Sequence, residues 1–262
     1  MNFTRFETAA RRMWNDIPAE VREGVDGMTI EQRPARHPDF EWVYTMGECF
    51  TEAWPSGAGG DGDVRSELIL YHGSFRALAE EDPDFDWEGE LWETILHELL
   101  HHRESAAGEM GLDVVDWANE QNLRRHAGAP FDPDFCRALP SGPDGVVRLE
   151  SELFLESIIP EGADEAVFEW RGRRYAVEAP IYASRAFVEV PNIAGGRLCV
   201  VIRRRRPWWR FGRKKKYRPA VISGRAYSLS APRSGPPPGR QPGRQPGRQP
   251  GPQSARQSAE DG

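Results

Sequence analysis

The amino-acid sequence predicts an α+β protein, in which helices pack on a small mixed sheet and a small β-rich unit and a disordered basic tail follow. Two observations predict this class. Helical and strand-like apolar periods occur together in residues 1–128, whereas residues 145–203 hold only short strand-like runs separated by turn residues. The Pro- and Asp-containing residues 129–144 are expected to link the two parts, and the Pro- and Gly-rich residues 204–262 to form the tail.

The expected elements of the first part follow from changes in apolar period along the chain. They are a helix closed by Pro18, strands at residues 28–32, 42–51 and 66–72, a helix through residues 92–102 and a last helix over residues 112–125. Gly47 falls inside the second strand, where an isolated glycine indicates a bulge. The second part is expected to be an antiparallel unit of six short strands.

The helix through residues 92–102 contains the motif HExxH, formed by His97, Glu98 and His101. Residues four apart on a helix project from one face about one turn apart, so both imidazoles can bind one zinc ion. Glu98 stands beside them, as expected of the general base of a zinc metallopeptidase. The motif therefore predicts a catalytic Zn²⁺ site.

The surroundings of the motif also fit a packed helix. Ile95, Leu96, Leu99 and Leu100 lie at helical spacing and are expected to face the core, and Gly108 can end the helix. The alternative is an amphipathic helix that carries its histidines by chance. Such a chance match has odds of roughly one in a hundred on composition, and the motif is meaningful only in this context.

A third zinc ligand is required, and three acidic residues could supply it. Asp113 is the first choice, because the glycines before it let the chain turn back and place a carboxylate at the start of the next helix. Asp116 is the second and Glu104 the third, although Glu104 could equally orient a ligand. An acidic residue at a helix start is also commonly just a cap.

Other polar residues near the motif have both a functional and a structural interpretation. Tyr71 and His72 end the third strand, so either could stabilise an oxyanion, although packing is the default for both. His102 follows Glu98 by four residues and could hydrogen-bond to groups around the metal site, but a half-exposed surface position is preferred.

The order of these elements resembles the small family of zincin-like metallopeptidases whose whole fold is a minimal zincin core. The similarity rests on Phe6-Glu7, on Ile17-Pro18 at the close of the first helix, on the strand at residues 67–71 and on residues 94–102. It covers roughly residues 3–126. The resemblance implies a zincin-like fold, a zinc site at the HExxH motif and hydrolysis of peptide bonds in a peptide or protein substrate.

Charge divides the chain and suggests an alternative function. Residues 1–166 carry 13 basic and 36 acidic residues, a net charge of −23, whereas residues 167–262 carry 21 and 5, a net charge of +16. Residues 203–218 interleave basic and aromatic side chains, which suit nucleic acid, an anionic lipid surface or an acidic partner. The alternative is therefore a non-catalytic zincin-like scaffold that binds through this segment.

The sequence lacks signals for a membrane or an oxidising compartment. No apolar run approaches the roughly 20 residues that span a bilayer, and residues 1–16 have no apolar leader core. Cys49, Cys136 and Cys199 are widely spaced and odd in number, so they indicate neither a disulfide framework nor a thiolate metal site. We therefore expect a cytoplasmic protein without a transmembrane segment.

Overall fold

The structure is a computed structural model that describes residues 1–54, 63–205 and 219–229. Its helices and mixed sheets confirm the predicted α+β class. The basic stretch at residues 206–218 and the residues 230–262 with their Gly-Arg-Gln-Pro repeats, predicted to be disordered, lie outside the described residues.

The predicted elements occur in the expected order, together with others that were not predicted. The helices are α1 (Phe3–Asp16), α2 (His72–Glu81), α3 (Trp87–Ala107), α4 (Gly111–His126) and α5 (Phe135–Ala138). The strands are β1 (Val25–Glu31), β2 (Ala35–Arg36), β3 (Tyr44–Thr45), β4 (Gly47–Trp54), β5 (Asp63–Tyr71), β6 (Val146–Leu149), β7 (Glu152–Pro160), β8 (Glu165–Trp170), β9 (Arg173–Glu178), β10 (Arg185–Glu189), β11 (Leu198–Arg205), β12 (Ala220–Ser223) and β13 (Tyr227–Ser228). Of these, α2, α5 and β2 were not predicted, and His72, expected to end the third strand, begins α2. Among the helices of these ranges, none has the length and apolar character needed to cross a membrane.

Helix α1 begins at a side-chain cap and ends before a proline. The Asn2 side chain accepts a hydrogen bond from the backbone N–H of Arg5 at 3.0 Å, which satisfies one of the free N–H groups of the first turn. Pro18 cannot continue the helix because it lacks a backbone N–H. The buried face consists of Phe6, Ala9, Ala10 and Met13. This spacing of three and four residues turns one side of α1 toward the core.

Strand β5 is the centre of the three-stranded sheet that supports α3. It pairs with β1 in parallel and with β4 antiparallel. Its alternate residues Ser66, Leu68 and Leu70 are buried, because successive side chains of a strand point to opposite faces. Leu68 and Leu70 pack in one cluster with Ile95 and Leu99 of α3. Strand β4 consequently lies at the sheet edge, along α3.

Helix α3 is capped by Asp86, whose side chain accepts a hydrogen bond from a backbone N–H of the first turn. Of the four residues predicted to face the core, Ile95 and Leu99 are buried as expected. The prediction is wrong for Leu96 and Leu100, which are 39% and 46% exposed. The sheet therefore covers only part of the apolar face of α3, and Leu96 and Leu100 lie outside the covered part.

The second part contains two sheets around a shared apolar cluster. One has five strands in the order β12-β10-β11-β7-β6, and the other has three in the order β13-β9-β8. The prediction of an antiparallel unit is wrong for the larger sheet, because β11 runs parallel to β7 and β10 parallel to β12. Strands β12 and β13 come from residues 219–229, which the sequence had assigned to the tail.

Helix α4 joins the two parts. Its Ala118 is fully buried in a cluster with Phe135, Phe154 and Phe187, so the apolar face of α4 packs on the β-rich unit. Two turns later along this helix, Arg125 is 1% exposed and forms ion pairs across to that unit. The opposite end of α4 reaches the HExxH helix. The β-rich unit therefore holds the helix that completes the site described next.

Candidate metal centre

The two histidines of the HExxH motif lie together on one face of α3. The ring centroids of His97 and His101 are 4.9 Å apart, and the ring planes are almost perpendicular at 80°. This placement follows from their spacing of four residues on a continuous helix. The prediction that both imidazoles share one face is confirmed.

Asp116 of α4 joins this pair. Its Oδ2 lies 2.7 Å from His101 Nε2 and 3.5 Å from His97 Nε2. One ligand atom from each of the three residues fits within a mutual distance of 4.8 Å. A tetrahedral zinc with bonds of about 2.0–2.1 Å separates its ligand atoms by roughly 3.3 Å. The donor set and its spacing therefore fit a zinc ion.

Asp113, the first choice from the sequence, lies on the other side of His101. Its Oδ1 is 3.3 Å from His101 Nδ1, the ring nitrogen that faces away from Asp116. The two atoms form an ion-pair contact, and the negative charge beside Nδ1 favours a proton on that nitrogen, which leaves Nε2 free for a metal. The structure thus places Asp113 where it would orient a ligand, while Asp116 occupies the position of a ligand.

Glu104, the third acidic residue considered, has a structural role at the junction of α3 and α4. Its Oε2 accepts a hydrogen bond of 2.6 Å from the backbone N–H of Leu112. A free N–H group in the first turn of α4 is satisfied in this way. Glu104 is therefore not brought together with the two histidines.

Glu98 is buried beside the histidines, with 6% of its surface exposed. No side-chain hydrogen bond to it occurs among the residues that the structure describes, although the group lines a cleft. Burial raises its pKa to about 7, and the positive charges of His97 and His101 oppose this rise. A buried carboxylate without a partner is costly to the fold, and groups that carry such a cost occur mainly at functional sites.

Gly47 allows the close approach of β4 to α3 at Glu98. A Cβ atom at this position would lie 2.7 Å from Thr94 Cγ2 and 3.0 Å from Glu98 Cγ, which is too close for any larger residue. The sequence suggested a bulge at Gly47. The glycine instead begins β4, where the lack of a side chain lets the strand approach α3 closely.

Interactions among His97, His101 and Asp116 shift the pKa values of His97 and Asp116 toward their charged forms. A hydrogen bond to Asp116 raises the pKa of His97. Burial acts to raise the pKa of Asp116, but hydrogen bonds and positive charge from His97 and His101 outweigh it and hold that pKa below its ordinary value. The carboxylate is thus kept in the ionised form that can bind a metal.

The cluster opens into a cleft of about 960 Å³. One wall is formed by residues 44–50, at the edge of the first sheet, and the other by α3. Asp113 and Asp116 of α4 and Glu150 from the β6–β7 turn close one end. The β-rich unit therefore contributes to the wall of the metal cleft.

Tyr71 and His72 lie away from this cleft. The Tyr71 hydroxyl donates a hydrogen bond of 2.8 Å to Glu48, so it reaches the cleft wall only through that carboxylate. His72 is 6% exposed, and its Nε2 is 3.2 Å from the carbonyl oxygen of Met1. The structural interpretation is the correct one for His72.

The preference for a half-exposed His102 is wrong. The residue is 3% exposed and lies between β5 and the loop before β1. Its Nε2 lies 2.7 Å from the carbonyl oxygen of Glu23, and its Nδ1 lies 2.7 Å from the Ser66 hydroxyl. His102 thus fixes α3 to the sheet and to the loop before β1, and it is not among the residues that line the cleft.

Sequence reasoning did not find Glu48 and Glu150, which both line the cleft. Neither belongs to a motif, and Glu150 is far from the HExxH helix along the chain. The one local signal at Glu150 appears only in the structure, where its φ of 49° is unusual for a residue other than glycine.

The start of the basic segment predicted to contact nucleic acid or lipid belongs to the fold. Arg203 pairs with Glu156 at 3.0 Å. Arg204 donates hydrogen bonds to several backbone carbonyls, among them that of Ala163 at 2.6 Å. These two cations are used within the β-rich unit. The remaining residues of the segment, 206–218, lie outside the described residues.

Comparison with known proteins does not assign a family. No family model matches the sequence, and no curated protein matches it. A solved structure, that of a conserved hypothetical protein from Thermus thermophilus, is 35% identical in sequence and aligns over 41% of this chain and 98% of its own, with a TM-score of 0.35. At that TM-score the likeness carries no argument about function, and the resemblance to zincin-like metallopeptidases stays a prediction.

Proposed function

We propose that this protein is a zinc-dependent metallopeptidase, in which His97, His101 and Asp116 hold Zn²⁺ and Glu98 is the general base. The observation that carries the proposal is the grouping of three metal-binding side chains beside a buried carboxylate that has no hydrogen-bond partner among the described residues. A structural zinc site has no need of such a carboxylate.

The donor set also favours a catalytic site over a structural one. Structural zinc sites in proteins are closed by four ligands, commonly rich in cysteine, whereas catalytic sites use three protein ligands and leave one position open. In the described ranges, the cluster offers two imidazoles and one carboxylate, and no cysteine belongs to it. The open cleft beside the cluster gives a substrate access to the remaining position.

Glu98 and Asp113 would have different roles in peptide hydrolysis. Bound zinc supplies a Lewis acid that polarises the peptide carbonyl and makes water more acidic. Glu98 accepts the proton of the attacking water and returns it to the nitrogen of the leaving amine. Asp113 acts through His101, because its negative charge beside Nδ1 favours a proton on that nitrogen.

The cleft wall suits an extended peptide. Within the described part of the chain, β4 pairs with β5 alone, so the backbone groups on its outer edge lie free along the cleft. A peptide can add to such an edge as a further strand, because main-chain hydrogen bonds do not depend on its sequence. This edge supports a peptide over a small molecule as the substrate.

Metal analysis combined with a peptidase assay tests the proposal. Wild-type protein is expected to hold one zinc per chain and to cleave members of a broad peptide library only in the metal-loaded form. His101→Ala is expected to lose stoichiometric zinc and all zinc-dependent cleavage, with the fold largely kept because the apolar core does not involve this residue. His37→Ala, a histidine outside the cleft that contacts Glu120, is the matched control. Equal zinc content in wild type and His101→Ala would show that His101 does not bind the metal and would rule out the proposed site.

The third ligand can be identified by two isosteric substitutions. Asp116→Asn is expected to weaken zinc binding by about 100-fold or more, because it removes a carboxylate ligand. Asp113→Asn is expected to cost about 10-fold, since only the orientation of His101 is affected. Glu104→Gln should leave zinc affinity unchanged. Competition with a chelator of known affinity measures all three variants, and a larger loss for Asp113→Asn than for Asp116→Asn would reverse the two roles.

A further inference from the structure

The metal cleft has an unusually one-sided charge. Sixteen residues line it, and seven of them are Asp or Glu while none is Lys or Arg. Glu98 and Asp116 belong to the metal centre. The other five carboxylates are those of Glu48, Glu90, Glu93, Asp113 and Glu150. The first part of the chain is acidic overall, but it contains 13 basic residues within residues 1–166, and the cleft excludes every one of them.

Three of these carboxylates have no cationic partner in the described part of the chain. Glu90, Glu93 and Glu150 are exposed and form neither an ion pair nor a side-chain hydrogen bond there. By contrast, Glu88 of the same helix points out of the cleft and pairs with Arg12 at 2.9 Å. The cleft therefore presents free negative charge, which is available to a ligand.

The free carboxylates flank the metal centre. Glu93 and Glu90 precede His97 on α3 by four and seven residues, which places them about 6 and 10 Å from it along the helix axis. An extended peptide advances about 3.3 Å per residue, so these distances correspond to roughly two and three residues. Asp113 and Glu150 lie at the α4 end of the cleft. Substrate side chains near the cleaved bond would thus meet a carboxylate on both sides.

A second observation indicates that this cleft is built for a ligand. Glu98, in its floor, is more than nine-tenths buried and has no hydrogen-bond partner among the described residues. Low-dielectric walls around charges of one sign strengthen the field inside a cleft and concentrate ions of the opposite sign. Lys and Arg side chains satisfy carboxylates directly, and Arg can bind one through two parallel hydrogen bonds.

We infer that the metal cleft selects peptides that carry Lys or Arg within about three residues of the bond that is cut. This inference rests on the proposed peptidase function and adds its substrate class. Glu90 and Glu93 determine specificity on one side of the metal centre, and Glu150 determines it on the other.

Binding to an inactive, metal-loaded form tests the specificity apart from catalysis. The zinc-loaded variant Glu98→Gln is titrated with three labelled peptides of one sequence, which carry Arg, Gln or Glu at the second and third residues on each side of the central bond. We expect the Arg peptide to bind at least tenfold more tightly than the Gln peptide and the Glu peptide to bind least. Raising the salt concentration should reduce the difference, because exposed charges are screened.

Charge-neutral variants in the same background locate the effect. Glu93→Gln and Glu150→Gln should each reduce the preference for Arg over Gln by severalfold, and the triple variant that adds Glu90→Gln should nearly remove it. Glu169→Gln, which removes an equal charge from an exposed position on β8, should leave the preference unchanged.

The possible failures are distinct. Equal binding of the three peptides, or a preference that survives in the triple variant, overturns the specificity while wild-type zinc-dependent cleavage of library peptides still supports the peptidase. A wild-type protein that neither binds zinc nor cleaves any peptide instead overturns the proposed function, and the substrate class with it.

Discussion

Glu98→Gln is expected to retain one zinc per chain and to lose peptide hydrolysis by about 10²- to 10⁴-fold, the usual contribution of general acid–base catalysis. Gln has nearly the same shape as Glu, so His97 and His101 keep their positions on α3. The amide cannot accept the proton of the attacking water. The chemical step should therefore fail although the metal centre stays intact.

The same substitution should not weaken the fold. Glu98 is buried without a hydrogen-bond partner in the described residues, and desolvation raises its pKa. A neutral amide in this position carries a smaller desolvation penalty than a carboxylate. We expect the melting temperature of the metal-free variant to equal or exceed that of metal-free wild type.

Glu88→Gln is the matched control for both measurements. Glu88 lies on the same helix and pairs with Arg12 on the protein surface, outside the cleft. It should retain wild-type hydrolysis and zinc content. Hydrolysis by Glu98→Gln at the wild-type rate would show that Glu98 is not the base.

The local part of the site could be predicted from the sequence. His97, Glu98 and His101 lie within five residues of one helix, so their relative positions follow from the helix itself. The apolar periods that define α1, α3 and α4 are equally local. Nothing beyond neighbouring residues is needed to place these groups.

The third ligand could not be decided in this way. Asp113 and Asp116 are three residues apart on α4, and which of them faces the histidines depends on the angle at which α4 crosses α3. That angle is set by packing between Ala118 and side chains of the β-rich unit, such as Phe154. These contacts join residues distant in sequence, and no local pattern encodes them.

The carboxylates of the cleft wall also could not be predicted from local sequence patterns. Glu48 and Glu150 look like ordinary surface residues in the sequence, because glutamate is common on solvated strands and turns. Their significance arises only when β4 and the β6–β7 turn are brought to the two sides of α3 and α4. His102 is a similar case, since its burial depends on partners at Glu23 and Ser66.

Arg125 should be among the most important residues for stability, although it lies outside the cleft. Its guanidinium is fully buried, and it donates hydrogen bonds of 2.9 Å to Glu152 of β7, to Glu189 of β10 and to the Asn122 side chain. Its charge also lies 5.6 Å from the ring centroid of Phe154. A single side chain thus connects α4 to two strands of the larger sheet.

We expect Arg125→Met to reduce the free energy of unfolding by about 3–5 kcal/mol, the range typical when one partner of a buried ion pair is removed. Methionine preserves much of the apolar volume, so the loss arises mainly because Glu152 and Glu189 lose their guanidinium partner. Of its described partners, Glu152 keeps Asn122 and His126. Chemical denaturation of the metal-free protein measures the effect. The double variant with Glu152→Gln should recover part of the loss, since it removes the negative charge of Glu152.

The variant should also bind zinc less tightly than wild type under conditions where both are folded. Arg125 anchors α4, and α4 carries Asp116 to the two histidines, so a loosened α4 weakens the third ligand without altering any metal-binding residue. Arg124→Met is the neighbouring control, because its ion pairs with Asp39 and Glu120 lie at the surface. It should change both stability and zinc affinity far less. Equal losses from the two substitutions would show that the buried network does not hold α4 in place.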